Sequence, residues 1–114
     1  MITLVRMNPS VVPAVYYDGT NYQDIADMWG KEQIEGTSGS LGVSSDTTDG
    51  CEVPIPIDSY VLNFMGSPLV LTREQFISFT QEYFPQESDE SYTVMTRDDL
   101  ILQSFNFKKK QEKN

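Results

Sequence analysis

The side chains that could do acid–base or metal chemistry in this sequence are carboxylates that lie close together along the chain. They form three groups: Asp24 with Asp27; Asp98 with Asp99; and Asp46, Asp49 and Glu52. Glycosidase-type hydrolysis needs two carboxylates held across a cleft, and closeness in sequence does not provide that. The twelve-residue ligand pattern of an EF-hand calcium loop is also missing. We therefore interpret these groups as solvated surface charges and predict no metal site.

Nucleophilic and cofactor chemistry find equally little support. Histidine is absent, which excludes Ser–His and Cys–His catalysis and nearly all zinc sites within this sequence. Cys51, the single cysteine, has neither a histidine nor a neighbouring cation to favour its thiolate. Gly36, Gly39 and Gly42 lack both the G-x-G-x-x-G spacing and a Walker lysine. We expect a protein that is not an enzyme and that holds no cofactor.

Net charge is the strongest compositional feature of the 114 residues. Seventeen acidic and eight basic residues give −9, and half of the basic residues are lysines after position 107. An acidic surface repels phosphate, so we predict no direct binding to nucleic acid. Such a surface favours either solubility alone or binding to a basic surface on a partner protein.

The sequence also predicts where the protein resides. It has no run of about 18 apolar residues, so no membrane span is expected. Arg6 and two prolines interrupt the first fifteen residues, where a secretory signal would need an apolar core. A single cysteine allows no intramolecular disulfide and suits a reducing compartment. We therefore expect a cytoplasmic location.

The densest acidic stretch runs from residue 82 to residue 99. Its six carboxylates form the predicted partner-binding site: Glu82, Glu87, Asp89, Glu90, Asp98 and Asp99. Carboxylates pair well with arginine, so this stretch could occupy an arginine-rich groove on another protein. The alternative is a solvated linker, and the general behaviour of surface charge runs favours that alternative.

Hydrophobic spacing predicts the main elements of the first 84 residues. Residues 11–17 are β-branched and aromatic, which is typical of a strand, with Pro13 suggesting an edge or a bulge. Tyr22, Ile25, Ala26 and Trp29 lie on one face of a short helix that ends at Gly30. Residues 36–50 are rich in Gly, Ser, Thr and Asp and predict a long loop holding at most one short strand.

The second half of that region predicts a hairpin and another helix. Apolar runs at 60–65 and 69–71 flank Gly66-Ser67-Pro68, a hairpin pattern. Thr72 and Gln75 have capping-box spacing at the start of a helix over 73–83, whose buried face would hold Phe76, Phe79 and Tyr83.

These elements predict an α+β fold with a small antiparallel twisted sheet of four to five strands and two amphipathic helices on one face. Residues 1–84 form the predicted core domain. Residues 85–114 form an acidic link and a C-terminal extension that ends in a frayed basic tail from Lys108.

Two blocks of the sequence resemble a small family of phage and prophage proteins. The first is VVPAVYYDGTN at 11–21, followed by Ile25 and Trp29, which is similar to the family pattern VVIEAVQWDGTN…I..W. The second, PIDSYVLNFMG at 56–66, resembles GDYIVKGVNG, and Phe76 matches the phenylalanine of a closing IFEKTYE helix. The Gly-Asp pair of the family falls on Asp58-Ser59 here. The resemblance implies a phage origin and a small α+β fold, and it implies no catalytic residue.

Together these observations predict a non-enzymatic phage accessory protein that binds and inhibits a host or anti-phage defence protein. Its acidic surface would occupy a basic groove on that partner. One alternative is a structural component of the virion head or tail, and self-association remains open. A weaker alternative is a sponge for a small nucleotide signal, which the scarcity of cations disfavours.

Overall fold

A computed structural model describes residues 2–8, 10–29, 34–37, 40–43, 53–84 and 95–112. The strands are β1 (Thr3–Met7), β2 (Ser10–Tyr17), β3 (Ile34–Thr37), β4 (Ser40–Val43), β5 (Val53–Ile55), β6 (Ser59–Phe64) and β7 (Ser67–Leu71). The helices are α1 (Tyr22–Trp29), α2 (Arg73–Phe79) and α3 (Arg97–Glu112).

The main sheet has four antiparallel strands in the order β1-β2-β6-β7. Its register places Val5 opposite Val12 and Tyr16 opposite Tyr60. The predicted α+β fold with a small antiparallel sheet is confirmed. Three further strands form a second antiparallel sheet in the order β3-β4-β5.

Alternation along β2 divides the core between the two faces of the main sheet. Ala14 and Tyr16 pack in one buried cluster with Phe76 of α2 and Leu100 of α3. Val15 and Tyr17 point to the opposite face, where they pack in a second cluster that includes Ile25 of α1. The described helices therefore cover both faces of the sheet, whereas the sequence predicted two helices on one face. The physical reason is that both faces of β2 and β6 are apolar.

Helix α3 belongs to this core. Leu100 is buried in the same cluster as Tyr16 and Tyr60, and Ser104 is fully buried. The core is therefore not confined to residues 1–84. The helix also continues through Lys108 to Glu112, so the predicted frayed tail is wrong for these residues.

Pro13 does not mark an edge strand, because β2 lies inside the main sheet. Its pairing with β6 begins only at Ala14, and Pro13 is paired on the other side with Leu4 of β1. The ladder to β6 thus starts one residue after the proline. A residue without an N–H is tolerated there because no ladder bond to β6 is required of it.

Two predicted helix faces need correction. Phe76 is fully buried as expected and the Thr72–Gln75 capping box is present, but α2 ends at Phe79, which is 54% exposed. Tyr22 of α1 is 50% exposed, and Ile25 and Ala26 form the buried face instead. The side chain of Trp29 lies outside the described residues.

The Gly- and Ser-rich region contains two described strands rather than at most one. β3 and β4 pair antiparallel, and β4 also pairs with β5. Pro54 lies in β5 at the edge of this second sheet, as expected for a strand that contains proline. Residues 44–52, which include Cys51, lie outside the described part.

The turn between β6 and β7 is tighter than the sequence predicted. Its two central residues are Met65 and Gly66, with positive φ angles of 54° and 87°. Positive φ at both positions is the geometry of a type I′ hairpin turn, in which Asn-Gly is strongly preferred. The amide nitrogen of Gly66 donates to Oδ1 of Asn63 at 2.8 Å. Met65 is 82% exposed, so its side chain gains little packing to offset the left-handed conformation.

We expect Met65→Asn to raise the free energy of unfolding by about 0.5–1 kcal/mol, because asparagine tolerates positive φ far better than methionine does. Urea denaturation measures this change. Met65→Leu is the matched control, since leucine has the same backbone restriction and similar size. Equal stability of the two variants would contradict the assigned strain.

Candidate functional site

Three of the six predicted binding carboxylates meet at the start of α3. Oε2 of Glu82 accepts a hydrogen bond from the backbone nitrogen of Asp98 at 3.2 Å. Asp99 is next in the chain, and both aspartates are exposed. The predicted stretch therefore begins and ends at one place on the surface. Glu87, Asp89 and Glu90 lie outside the described residues.

Part of this acidic group stabilises the helix. The backbone nitrogen of Thr96 donates to Oδ2 of Asp99, and the backbone nitrogen of Asp99 donates to Oγ1 of Thr96, each at 3.2 Å. This reciprocal pattern is a capping box. The spacing Thr-x-x-Asp at 96–99 was the sequence signal for it, and the charge-based prediction overlooked it. Negative charge in the first turn also favours the helix dipole.

Arg97 ties α3 to α2 beside these carboxylates. Its Nε donates to Oγ1 of Thr80 at 2.9 Å and its Nη2 donates to the carbonyl oxygen of Ile77 at 3.0 Å. Its Nη1 forms an ion pair with Oδ1 of Asp98 at 3.2 Å, in which the Asp98 side chain is 74% exposed. The arginine is thus held by its own chain and leaves Asp98 open to solvent.

The residues that carry the phage resemblance have structural roles here. Oδ1 of Asp18 accepts from the backbone nitrogen and the hydroxyl of Thr20, at 2.8 and 2.7 Å. Nδ2 of Asn21 donates to the carbonyl oxygen of Tyr16 at 2.7 Å. Gly19 has a φ of +95°, and a Cβ there would lie 3.0 Å from Cδ1 of Ile57. The Asp-Gly-Thr-Asn sequence therefore builds the turn from β2 into α1.

The hydroxyl of Tyr16 donates to Oδ1 of Asp58 at 2.8 Å. Burial, followed by the hydrogen bond and negative charge of Asp58, raises the pKa of Tyr16 far above its usual value. Burial also raises the pKa of Tyr60, whose hydroxyl donates to Oγ of Ser104. Both tyrosines thus stay protonated at neutral pH and act as donors. This is the opposite of what a tyrosine base or nucleophile requires.

A basic pocket that the sequence did not predict lies between the start of α2 and the last turns of α3. It has a volume of about 390 Å³ and is lined by Arg73, Phe105, Asn106, Lys108 and Lys109. The guanidinium carbon of Arg73 lies 4.3 Å from the centre of the Phe105 ring, a cation–π contact. Nη1 of Arg73 is buried and has no hydrogen-bond acceptor among the described residues.

The sequence does not reveal this pocket because Arg73 lies 35 positions before Lys108, which belongs to a tail that the composition predicts to be frayed. The only available signal was the spacing of Phe105 to Lys108 and Lys109, which places all three on one side of a helix.

Metal binding and paired-carboxylate chemistry find no support among the described residues. No three His, Cys, Asp or Glu side chains within them are grouped as a metal site requires. Asp24 and Asp27 both lie on α1, and Oδ1 of Asp27 accepts from Nε2 of Gln23 at 2.9 Å. No helix in the described part of the chain is both long and apolar enough to span a membrane.

A scan of known protein families gives no match to this chain, and searches of curated proteins and of solved structures give none either. The resemblance to a phage family therefore stays a prediction.

The raised tyrosine pKa values predict alkaline destabilisation. Above about pH 10 the unfolded chain loses tyrosine protons that folded Tyr16 and Tyr60 retain, so the free energy of unfolding falls as the pH rises further. Tyr16→Phe should make that fall less steep, and it should cost about 1.5–3 kcal/mol at pH 7 through loss of the bond to Asp58. Urea denaturation from pH 7 to 11 measures both effects.

Tyr22→Phe is the control, because it removes an exposed tyrosine that the core does not hold. A Tyr16→Phe protein with the same alkaline slope as the wild type would show that Tyr16 is not kept protonated by the fold.

Proposed function

We propose that this chain is a non-enzymatic binding protein whose acidic surface at the start of α3 occupies a basic groove on a protein partner. Because the sequence resembles phage proteins, the proposed partner is a host or anti-phage defence protein. Binding would inhibit that partner by covering a surface that its activity requires. The described part of the acidic surface consists of Glu82, Asp98 and Asp99, and the sequence between them adds Glu87, Asp89 and Glu90.

The observation that carries this proposal is the incomplete hydrogen bonding of the Glu82 carboxylate. Its Oε2 accepts from the backbone of Asp98, but its Oε1 is buried and accepts no hydrogen bond from any described residue. An unsatisfied carboxylate oxygen is costly, so a partner that rearranges this region and supplies a donor would stabilise Glu82, and the neighbouring carboxylate of Asp98 is already exposed. Arginine supplies two parallel donors and matches a carboxylate geometrically.

The distribution of cations supports the same proposal. Arg97 is bound to Thr80 and Ile77, and the guanidinium carbon of Arg6 lies 5.7 Å from the ring centre of Tyr83. The arginines of the described part thus lie against groups of their own chain, and Asp98 remains exposed beside one of them. The negative field is therefore available to attract a basic surface and speed its association.

Charge neutralisation tests this proposal. A tagged chain is used to capture host proteins from lysate, and the captured partner is then titrated at low and moderate salt. Glu87→Gln/Glu90→Gln should weaken binding at least tenfold and flatten its salt dependence, because the attractive charges are lost. Asp24→Asn/Asp27→Asn removes equal charge from α1, which lies on the other face of the sheet from α3, and should change affinity much less.

If both double variants weaken partner binding equally, net charge alone explains the loss of affinity, and the proposal of a defined acidic site is overturned. Affinity unchanged by Glu87→Gln/Glu90→Gln would overturn it as well. Recovery of the chain in purified phage particles, with no host protein captured, would favour a virion component.

A further inference from the structure

We propose that the basic pocket between α2 and α3 binds a small phosphomonoester, with the phosphate held by Arg73, Lys108 and Lys109. This site is separate from the acidic surface and does not depend on the proposed partner. Asp98 and Lys108 are ten residues apart on α3, which places them about 15 Å apart along the helix.

The first argument is the local charge. The chain carries a net charge of −9, yet the described residues that line this pocket include three cations and no carboxylate. Like charges brought together repel one another unless an anion lies between them. Among the described residues, Arg73, Lys108 and Lys109 form no ion pair that would relieve this repulsion.

The second argument is the unused donor. Arg73 is half-buried, and its Nη1 has no acceptor among the described residues. A buried charged donor without an acceptor is unfavourable, and the arginine is fixed in this position by its contact with the Phe105 ring. The pocket therefore contains a fixed donor for which no described residue provides the acceptor.

The type and number of donors favour phosphate over carboxylate. The polar residues that line the pocket are an arginine, two lysines and an asparagine, all of which can donate hydrogen bonds. A carboxylate offers only two oxygens, whereas a phosphomonoester offers three strong acceptor oxygens and nearly two negative charges at pH 7.

Size and shape favour a phosphomonoester over free phosphate. The volume of about 390 Å³ lies within the range of small-molecule sites. Phe105 is 48% exposed, so part of its ring can contact a planar group of the ligand. The net negative charge of the whole chain opposes a long polyanion such as nucleic acid, since long-range repulsion grows with each added phosphate.

The fold brings these residues together through two contacts away from the pocket. Arg97 joins α3 to α2 at Ile77 and Thr80, and the hydroxyl of Tyr60 donates to Oγ of Ser104, the residue before Phe105. These contacts set the position of α3 against α2, and Lys108 and Lys109 follow Phe105 on the same side of the helix.

The test uses AMP as the probe phosphomonoester and follows the ¹H–¹⁵N NMR spectrum of the full chain. AMP should shift the signals of Arg73 Nε and of the Phe105 and Asn106 amides, with a dissociation constant on the order of 1 mM or tighter. Adenosine, which lacks the phosphate, should bind at least tenfold more weakly. Inorganic phosphate should shift the Arg73 signal but bind more weakly than AMP, because it lacks the planar group.

Two variants separate the pocket from general electrostatics. Lys109→Gln removes a lining cation and should weaken AMP binding at least fivefold. Lys110→Gln removes the same charge from the next residue, which does not line the pocket, and should leave affinity within twofold of the wild type. Both lysines lie in the last turn of α3, where a positive charge interacts favourably with the helix dipole. Each variant therefore loses the same stabilising interaction with the helix, and any difference in AMP affinity reports on the pocket.

Several results would overturn the proposal. These are the absence of AMP-induced shifts at 10 mM, equal binding of adenosine and AMP, and equal weakening by the two lysine variants. A ten-nucleotide single-stranded DNA that binds through the same residues more tightly than AMP would assign the pocket to nucleic acid instead.

Discussion

The side chain of Tyr60 joins the sheet to both helices on one of its faces. Its ring stacks on Phe76 of α2 with centres 4.2 Å apart and planes 6° apart, and it lies 5.2 Å from the ring of Tyr16 on the neighbouring strand. A buried tyrosine must also satisfy its hydroxyl, and Ser104 of α3 accepts that hydrogen bond. Tyr60 therefore contacts both helices on this face, and the buried side chains of Phe76 and Leu100 pack in the same cluster.

This arrangement explains how an acidic chain comes to contain a basic pocket. Helix α3 carries its acidic residues in the first turn and its lysines in the last turns, and the contacts of Leu100 and Ser104 with the sheet hold this helix beside α2. Arg73 begins α2 and reaches Phe105 because Phe76 holds α2 on the same aromatic group. Both charged regions therefore depend on the packing of α3 against the sheet and α2, although their proposed ligands are of opposite charge.

Local patterns in the sequence predicted the elements whose formation depends on nearby residues. The Thr72–Gln75 capping box, the strand over 11–17 and burial of Phe76 are all set within one turn or one strand, and the structure confirms them. The extent of α3 was not predictable in this way. The hydrophobic residues of that helix are not confined to one face, since Leu102 and Phe105 are exposed, so its stability comes from Leu100 and Ser104 packing on distant strands.

The two candidate sites also differ in whether nearby residues or the tertiary structure bring them together. The acidic stretch is continuous in sequence and could be identified from composition alone. The basic pocket combines Arg73 with residues more than thirty positions later, so only the tertiary structure brings it together. The opposite faces taken by α1 and α2 likewise depend on how β2 distributes its apolar side chains, which the helix patterns do not reveal.

The central claim is that α3 is an integral part of the fold, and native-state hydrogen exchange tests it most directly. The free energy of opening is measured for the backbone amides of Leu100 and Ser104 in α3 and for those of Val15 and Val61 in the central strands. If α3 unfolds only together with the sheet, the two pairs of amides exchange with the same opening free energy and the same denaturant dependence. Exchange of the α3 amides through a low-energy local opening, while the strand amides remain protected, would show that α3 is an independent appendage and would contradict this account.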